Sequence, residues 1–206
     1  MADAGSSGRS NQKSRTRKDL LRAAARLMRD GHAPTLDEVA EEAMVSRATA
    51  YRYFSGIEAL LVEAALDVAM PEPDALFAGA EFTDPLARLE RVDRTVAEMV
   101  RANEPALRQM LVHSLQQRLA AGEGLPSRQN RRTPLIEAAL APVGDAMSEA
   151  ARDRLTKALA LVIGTESMIV FKDVLGLDDD EADDVRRWMI RALLDSAQGS
   201  GALLSP

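Results

Sequence analysis

The side chains best suited to chemistry lie together in one short segment, Arg47-Ala48-Thr49-Ala50-Tyr51-Arg52-Tyr53-Phe54, which holds both tyrosines of the chain. An arginine can donate two hydrogen bonds to the edge of a guanine, a threonine can offer its hydroxyl or methyl group to a base, and a small alanine lets a helix approach closely. Tyrosine hydroxyls can donate hydrogen bonds to phosphates. This combination indicates contact with the major groove of double-stranded DNA.

A helical period of 3.6 residues per turn divides this segment into two faces. Ala50 and Phe54 are four residues apart, so both are expected to face a core. The residues expected to point away from the core are Ala48, Thr49 and Arg52, with Arg47, Tyr51 and Tyr53 on the flanks. The alternative for the two tyrosines is that they only pack the domain.

Signals on both sides of the segment predict the elements that would position it. Thr35 and Glu38 form the pattern of a capping box, and Ser46 is suited to cap a helix over 47–54. A second short helix and only a few linking residues lie between these caps. Two short helices joined by a tight turn form a helix-turn-helix, and a helix over 15–30 with a Leu/Ala stripe would complete its core.

The rest of the chain also predicts an all-α fold. Strand and hairpin signals are nearly absent. Apolar residues recur at helical spacing, and Pro and Gly cluster between those stretches, which predicts about nine helices and one longer loop. The predicted helices are 15–30, 36–43, 47–54, 57–70, 84–102, 105–120, 134–149, 152–175 and 180–197, and the loop is 121–132. The helix 134–149 can kink at Pro142.

Composition and charge limit the class of protein. The chain has 206 residues, with 26 Lys and Arg against 32 Asp and Glu and a net charge of −6, as is typical of a soluble globular protein. It lacks cysteine, which excludes disulfides, thiolate metal sites and cysteine nucleophiles. No secretory signal or membrane span is evident, so we expect a cytoplasmic protein without a membrane partner. The basic segment 9–29 indicates either an anionic partner or a solubilising tail.

The sequence shows no pattern typical of catalysis, a cofactor or a metal site. The two histidines, His32 and His113, have no partner at metal-ligand spacing. Glycine-rich nucleotide loops and the Gly-x-Ser-x-Gly pattern of hydrolases are missing. The acidic run 178–184 is explained as the start of the last helix, where carboxylates cap the first N–H groups. We therefore expect no enzymatic activity, no cofactor and no metal.

Residues 15–60 resemble the DNA-binding domain of the tetracycline-repressor (TetR) family. The resemblance rests on three strings, Thr35-Leu36-Asp37-Glu38-Val39-Ala40, Val45-Ser46-Arg47-Ala48-Thr49-Ala50-Tyr51-Arg52-Tyr53-Phe54 and Glu58-Ala59-Leu60-Leu61. It implies a sequence-specific transcriptional regulator, with repression as the expected mode, whose helix over 47–54 enters the major groove. We expect base contacts from Arg47, Ala48, Thr49 and Arg52, and phosphate contacts from Thr35, Ser46, Tyr51 and Tyr53.

Two residues depart from the family pattern. Met44 stands where the family usually has a turn glycine. Gly56 stands where it usually has a lysine that holds a phosphate. The chain should therefore lack that phosphate contact, and the basic residues over 13–18 could compensate for it.

The resemblance also implies how the whole chain is organised. It predicts a flexible basic arm over 1–14, the helix-turn-helix domain over 15–60, an effector-binding and dimerisation domain over 61–198 and a C-terminal tail over 199–206. In the family, the last two helices pair in a homodimer, and binding of a small molecule releases the DNA. The sequence does not identify the small-molecule effector.

An effector cavity is expected among the helices of the larger domain. Its candidate lining residues are Met110, His113, Gln117, Glu166, Met168 and Phe171. The alternatives are a surface or hydrogen-bonded core position for His113, a structural salt bridge from Glu166 to Arg131 or Arg132, and ordinary core packing for the methionines.

The alternative function is a helical module for small-molecule binding or dimerisation that no longer reads DNA. The intact capping residues and the outward arginines and tyrosines of the segment 47–54 favour the regulator.

Overall fold

The computed structural model of the chain describes residues 4–30, 33–79, 83–121 and 130–199. These ranges are helical and contain no strand, as the sequence predicts. No helix within them combines the length and apolar character needed to cross a bilayer. The helices are α1 (Ala4–Arg29), α2 (Leu36–Glu42), α3 (Arg47–Tyr53), α4 (Ile57–Ala69), α5 (Pro73–Phe77), α6 (Pro85–Ala102), α7 (Glu104–Ala121), α8 (Arg132–Leu140), α9 (Glu149–Val162), α10 (Thr165–Ile169) and α11 (Asp179–Gly199).

The chain divides into two compact units, one formed by residues 1–69 and 103–130 and the other by residues 70–102 and 131–206. This division differs from the predicted boundary at residue 60, because α7 packs against α4 and so belongs to the first unit. Of the predicted C-terminal tail, Gly199 ends α11, and 200–206 lie outside the described residues.

The core of the first unit is a small three-helix cluster extended by α4. Its buried side chains come from one face of α1, one face of α2, the inner face of α3 and the start of α4. They are Leu20, Leu21, Ala23, Ala24, Leu36, Val39, Ala40, Ala50, Tyr53, Phe54, Leu60 and Ala64. Burial of this apolar surface holds the helix-turn-helix together, since none of its short helices would be stable alone.

The first helix is longer than predicted. It begins at Ala4, so the segment 4–14, which we predicted to be a flexible arm, is helical. Residues 1–3 of that predicted arm lie outside the described residues. The buried side chains Leu20, Leu21 and Ala24 anchor α1, and each residue added to an anchored helix gains a backbone hydrogen bond without a new nucleation cost.

The second unit packs α6, α8, α9 and α11 against one another. Its buried core side chains include Leu89, Val92 and Val96 of α6, Leu135, Ile136 and Leu140 of α8, Leu155 and Leu159 of α9, and Ile190 and Leu194 of α11. The short α5, which we did not predict, has Pro73 at its start and buries Leu76. A helix of five residues is too short to show a periodic apolar pattern in the sequence.

Two predicted helices are broken. The predicted helix 134–149 ends as α8 at Leu140 and continues as a 3-10 turn over Ala141–Ala146. The turn contains Pro142, which lacks the N–H that an α-helix needs, and Gly144 at positive φ. The predicted helix 152–175 is split into α9, α10 and a π-helical turn over Val170–Val174, with Gly164 (φ 143°, ψ −166°) at the break.

An arginine from another helix lies against the break at Gly164. A Cβ at this position would lie 2.0 Å from Nη1 of Arg132, whose guanidinium occupies that space. Nη1 donates to the carbonyl of Ile163 at 3.2 Å and to Oε2 of Glu166 at 2.6 Å. The arginine therefore binds the carbonyl of Ile163 at the interrupted helix, and a Cβ on residue 164 would require its guanidinium to move.

Candidate nucleic-acid interface

The capping box at the start of α2 is confirmed. The backbone N–H of Glu38 donates to Oγ1 of Thr35 at 3.3 Å, and the N–H of Thr35 donates to Oε2 of Glu38 at 2.7 Å. The Thr35 hydroxyl also donates to this carboxylate, at 2.9 Å. These reciprocal bonds satisfy N–H groups that the helix cannot satisfy itself and fix the residue at which α2 begins.

The turn between α2 and α3 keeps the conformation that a glycine would favour. Met44 has φ 54° and is the one non-glycine residue at positive φ among those described. Its side chain is 92% exposed, so no packing offsets the backbone strain. The N–H of Val45 donates to the carbonyl of Ala40 at 2.9 Å and closes the turn. The methionine therefore leaves the turn intact at a cost in conformational energy.

Ser46 caps α3, as predicted. Its Oγ accepts from the N–H of Thr49 at 3.1 Å and lies 2.8 Å from Oγ1 of Thr49. Ala50 and Phe54 are buried in the core, which confirms that this side of α3 faces inward. The cap and the two core contacts together determine which residues of α3 remain outside.

The outer residues of α3 form one surface, which we call the α3 surface and define as Arg47, Ala48, Thr49, Tyr51 and Arg52. Four of these residues are exposed, and Thr49 is half-buried. Tyr51 is 56% exposed, and the side chain of Arg47 is 76% exposed. Nη1 of Arg47 lies 3.1 Å from Oδ2 of Asp37, which joins the start of α3 to the start of α2. The surface therefore has cationic and aromatic side chains at its edges and small side chains at its centre.

Tyr53 does not lie where we predicted. It is only 2% exposed and belongs to the core of the first unit, so the prediction that it flanks the outer face is wrong. The guanidinium of Arg52 lies 5.6 Å from the centre of its ring. With Phe54, Tyr53 adds a large aromatic side chain to this core, and a domain of this size needs large side chains to close its core.

The end of α3 is held by an arginine that we did not predict to matter. Arg17 of α1 is buried and donates through Nη1 to the carbonyl of Tyr53 at 3.3 Å. Its guanidinium lies 4.5 Å from the centre of the Phe54 ring and pairs with Glu63 of α4. The available signal was its position three residues before Leu20, on the apolar face of α1, where a charged side chain needs a partner.

The predicted effector-lining residues fall into both units. In the first unit, Met110 is buried, His113 is exposed, and both line a shallow cleft beside Arg17 and Glu63. The side chain of Gln117 lies outside the described part of the structure. In the second unit, Met168 and Phe171 are buried and line a separate cleft.

Glu166 forms a salt bridge with Arg132, with 2.6 Å between Oε2 and Nη1. This is the structural alternative that the sequence left open for Glu166. The carboxylate holds the guanidinium beside Gly164 and does not stand alone in an apolar cavity.

Comparison with known proteins supports the assignment of the first unit. Residues 20–64 match the model of a family described as bacterial regulatory proteins, tetR family. This span runs from the buried part of α1 through α2 and α3 into α4. No curated protein and no solved structure matches the chain. The motif strings, the capped α2–turn–α3 arrangement and the family match agree. Residues 20–64 are therefore a helix-turn-helix domain of the tetR family of bacterial regulatory proteins.

Proposed function

We propose that the chain is a repressor that binds its DNA operator as a homodimer and is released by a small molecule. The observation that carries the DNA-binding part is the α3 surface. It is the exposed face of a helix capped by Ser46, on which Arg47 and Arg52 flank the small side chain of Ala48. Such a face can enter the major groove, because alanine allows close approach and arginines can each donate two hydrogen bonds to guanine.

In this proposal the contacts divide by type. Arg47, Ala48, Thr49 and Arg52 face base edges, and Thr35, Ser46 and Tyr51 face phosphates. Tyr53 is left out because it is buried. The exposed pair between Arg47 and Asp37 is no obstacle to reading DNA, since an ion pair of this kind contributes only about 0–1 kcal/mol and can exchange for a stronger contact.

Dimerisation through the last helices is supported by apolar side chains that the second unit leaves exposed. On α9, the π-helical turn and α11, the exposed large apolar residues include Leu161, Val170, Val174, Val185 and Trp188. Trp188 is 70% exposed, which is unusual for the largest apolar side chain. A twofold dimer would cover such a surface and present two α3 surfaces to half-sites about 34 Å apart.

Release by a small molecule requires two conformations that differ in affinity for the ligand and for DNA. The break between α9 and α10 supports a change of conformation in the second unit. The break at Gly164 and the π-helical turn are irregular backbone, which is frequent at functional sites. Both features lie on the wall of the cleft of that unit.

A DNA titration tests the DNA-reading part. The protein is titrated with the DNA upstream of its own gene, and with a scrambled duplex, at several salt concentrations. We expect tight binding to the first duplex, with the logarithm of affinity falling linearly with the logarithm of salt concentration. Arg47→Ala should reduce the preference for the specific duplex, Tyr51→Phe should weaken both duplexes alike, and Arg94→Ala, at an exposed site in the second unit, should change neither. Equal, weak affinity for both duplexes would support the alternative module that no longer reads DNA.

Sedimentation equilibrium tests the dimer. Trp188→Arg should shift the protein to the monomer, because it replaces a large, 70% exposed apolar side chain with a charge. Leu119→Arg on α7 is the matched control, since Leu119 is at least as exposed but lies in the other unit. A wild-type monomer, or equal loss in both variants, would contradict dimerisation through the last helices.

A further inference from the structure

We propose that Asp37 of α2 positions the guanidinium of Arg47, the first residue of α3, to read a guanine in the major groove. Nη1 of Arg47 lies 3.1 Å from Oδ2 of Asp37, and both residues belong to the first unit. Asp37 acts through Arg47 and is a positioning residue. The inference rests on the proposed function, because it assigns a determinant of base specificity to the α3 surface.

The ion pair leaves Arg47 with a free pair of N–H donors. A guanidinium holds its donors in a fixed plane. With Nη1 beside Asp37, the edge formed by Nε and Nη2 stays available, and a pair of parallel donors is what the O6 and N7 acceptors of guanine require. Arg17 uses this same edge, with Nε and Nη2 donating to the two carboxylate oxygens of Glu63 at 3.0 and 2.5 Å. Arg47 can therefore read a base without leaving Asp37.

The pair also restricts the conformations of an exposed side chain. The side chain of Arg47 is 76% exposed, and Asp37 is its one ionic partner in the part of the chain that the structure describes. An exposed arginine has many rotamers, and ordering it on binding costs entropy. The contact with Asp37 selects rotamers that keep the guanidinium at the junction of α2 and α3 before DNA binds. Part of the ordering is therefore complete in the free protein, which raises the affinity for a base that the guanidinium can reach.

Asp37 gains little from the fold itself. Its Oδ1 is buried and has no hydrogen-bond partner among the described residues, and a buried carboxylate oxygen without a donor costs free energy. The capping box of α2 is formed by Thr35 and Glu38 and does not need Asp37. A carboxylate in the first turn interacts only modestly with the helix dipole. The contact with Arg47 is therefore the main interaction of the Asp37 side chain.

Both members of the pair stand at helix starts that are held in place by caps. Thr35 caps α2, and Ser46, directly before Arg47, caps α3. Contacts between rigid elements keep their geometry better than contacts between loops. A carboxylate at this end of the helix-turn-helix also repels DNA phosphates and so weakens binding to any sequence. Asp37 is therefore expected to lower general DNA affinity while it raises the preference for one base pair.

Binding to chemically altered guanines tests the proposal. In the DNA upstream of the chain's own gene, each guanine in turn is replaced by 7-deazaguanine, which lacks the N7 acceptor. We expect at least one position at which the replacement weakens binding of the wild type about threefold to tenfold and leaves binding of Arg47→Ala unchanged. In Asp37→Ala, the loss at this same position should shrink to about twofold or less, because the guanidinium is no longer held toward the base.

Affinities for the specific and the scrambled duplex give a second readout. Asp37→Ala should bind the scrambled duplex as tightly as wild type or up to about threefold more tightly, while its preference for the specific duplex falls about threefold to tenfold. A purely structural role of Asp37 would weaken binding to both duplexes, and simple repulsion of DNA would weaken wild-type binding to both alike. In the Arg47→Ala background, Asp37→Ala should not lower the preference further, because the two residues act as a unit.

Glu41→Ala is the matched control, since it removes the same charge from an exposed site on the same helix and should leave the preference unchanged. Asp37→Asn keeps the side-chain volume and should also lose preference, and thermal unfolding checks that each variant folds.

The outcomes separate this inference from the proposed function. A wild type that prefers the specific duplex, with the preference unchanged in Asp37→Ala and Asp37→Asn or lowered equally in Glu41→Ala, would overturn the role of Asp37 alone. Equal, weak affinity of the wild type for both duplexes would refute the proposed function as well.

Discussion

Arg17 of α1 and Glu63 of α4 form a buried two-point ion pair, with Nε donating to Oε1 at 3.0 Å and Nη2 to Oε2 at 2.5 Å. Their side chains are 8% and 3% exposed. The same arginine also binds the carbonyl of Tyr53 and lies over the Phe54 ring. One guanidinium thus joins the first helix, the end of the α3 helix and the following helix, and the orientation of the α3 surface depends on it.

Glu63→Ala should lower the free energy of unfolding by about 3–5 kcal/mol, because it leaves the Arg17 guanidinium buried without its carboxylate. Urea unfolding measures this. Glu42→Ala breaks the exposed pair with Arg26 and should cost no more than about 1 kcal/mol. The double variant Arg17→Met/Glu63→Leu should recover most of the loss, since apolar side chains can replace a buried pair. A loss in Glu63→Ala no larger than that in Glu42→Ala would contradict the importance of the pair.

Met44→Gly should stabilise the protein by about 0.5–1 kcal/mol. Glycine relieves the strain at φ 54°, and the entropy that glycine adds to the unfolded chain offsets part of this gain. The exposed methionine side chain has little packing to lose. Thermal unfolding should show a higher midpoint for Met44→Gly and no increase for Met44→Ala, which keeps the strain. An equal rise in both variants would show that the side chain, and not the backbone, is responsible.

Gly56→Lys should strengthen DNA binding about threefold to tenfold and steepen its salt dependence by about 0.9 for each added phosphate contact. A Cβ at Gly56 would meet nothing within 4 Å, so the longer side chain can be accommodated without a clash. The expectation rests on the family resemblance, in which a lysine at this position holds a phosphate. Gly56→Gln adds length without charge and should leave the salt dependence unchanged. A Gly56→Lys protein with the wild-type slope would show that this position does not approach DNA.

Gly164→Ala should lower the free energy of unfolding by about 2–4 kcal/mol, because its Cβ would displace Arg132 and its φ of 143° suits only glycine. Gly176→Ala is the control: it also has positive φ but open space around its Cβ, so it should cost only about 1 kcal/mol. In the Arg132→Ala background, Gly164→Ala should cost less than in the wild type. Additive losses would contradict a shared cause.

Asp183 should contribute to stability in a pH-dependent way. Burial alone would raise its pKa, but the hydrogen bonds and charges of Arg186 and Arg101 outweigh burial, and the pKa lies below the ordinary 3.8. A group with a lowered folded-state pKa stabilises fully above its unfolded pKa and loses that contribution as the pH falls through its folded pKa. The Asp183→Asn variant should therefore be less stable than wild type at pH 6, and the difference should shrink below about pH 3.8.

Thermal unfolding from pH 6 to pH 3 measures this difference. Burial raises the pKa of Asp93, and the attraction of Arg186 only partly offsets this. The contribution of Asp93 to the free energy of unfolding is therefore lost as the pH rises, whereas that of Asp183 is lost as the pH falls. The charge of Asp183 is one of the causes that raise the pKa of Asp93, so in Asp183→Asn the pKa of Asp93 falls and its contribution is lost from a lower pH. Asp184→Asn, at an exposed site, is the control and should show little change across this range. A stability difference that stayed constant down to pH 3 would refute the expectation for Asp183.

The sequence by itself determined the helix-turn-helix and most of its outer surface. Thr35 with Glu38 and Ser46 mark where two helices begin, because their side chains bond to backbone N–H groups only a few residues away. The positions of Ala50 and Phe54 then define the inner face through helical periodicity alone. These are local effects, and a local pattern of residues is sufficient to predict them.

The tertiary structure decided what local patterns cannot contain. Tyr53 is buried in the core that α1, α2, α3 and α4 form together, and Arg17 meets Glu63 across 46 positions of sequence. At the helix break, the guanidinium of Arg132, from another helix, occupies the space where a Cβ on Gly164 would lie. The cleft of the second unit likewise exists because α6, α10 and α11 meet. Each depends on which distant residues come into contact, and packing of the whole unit sets those contacts.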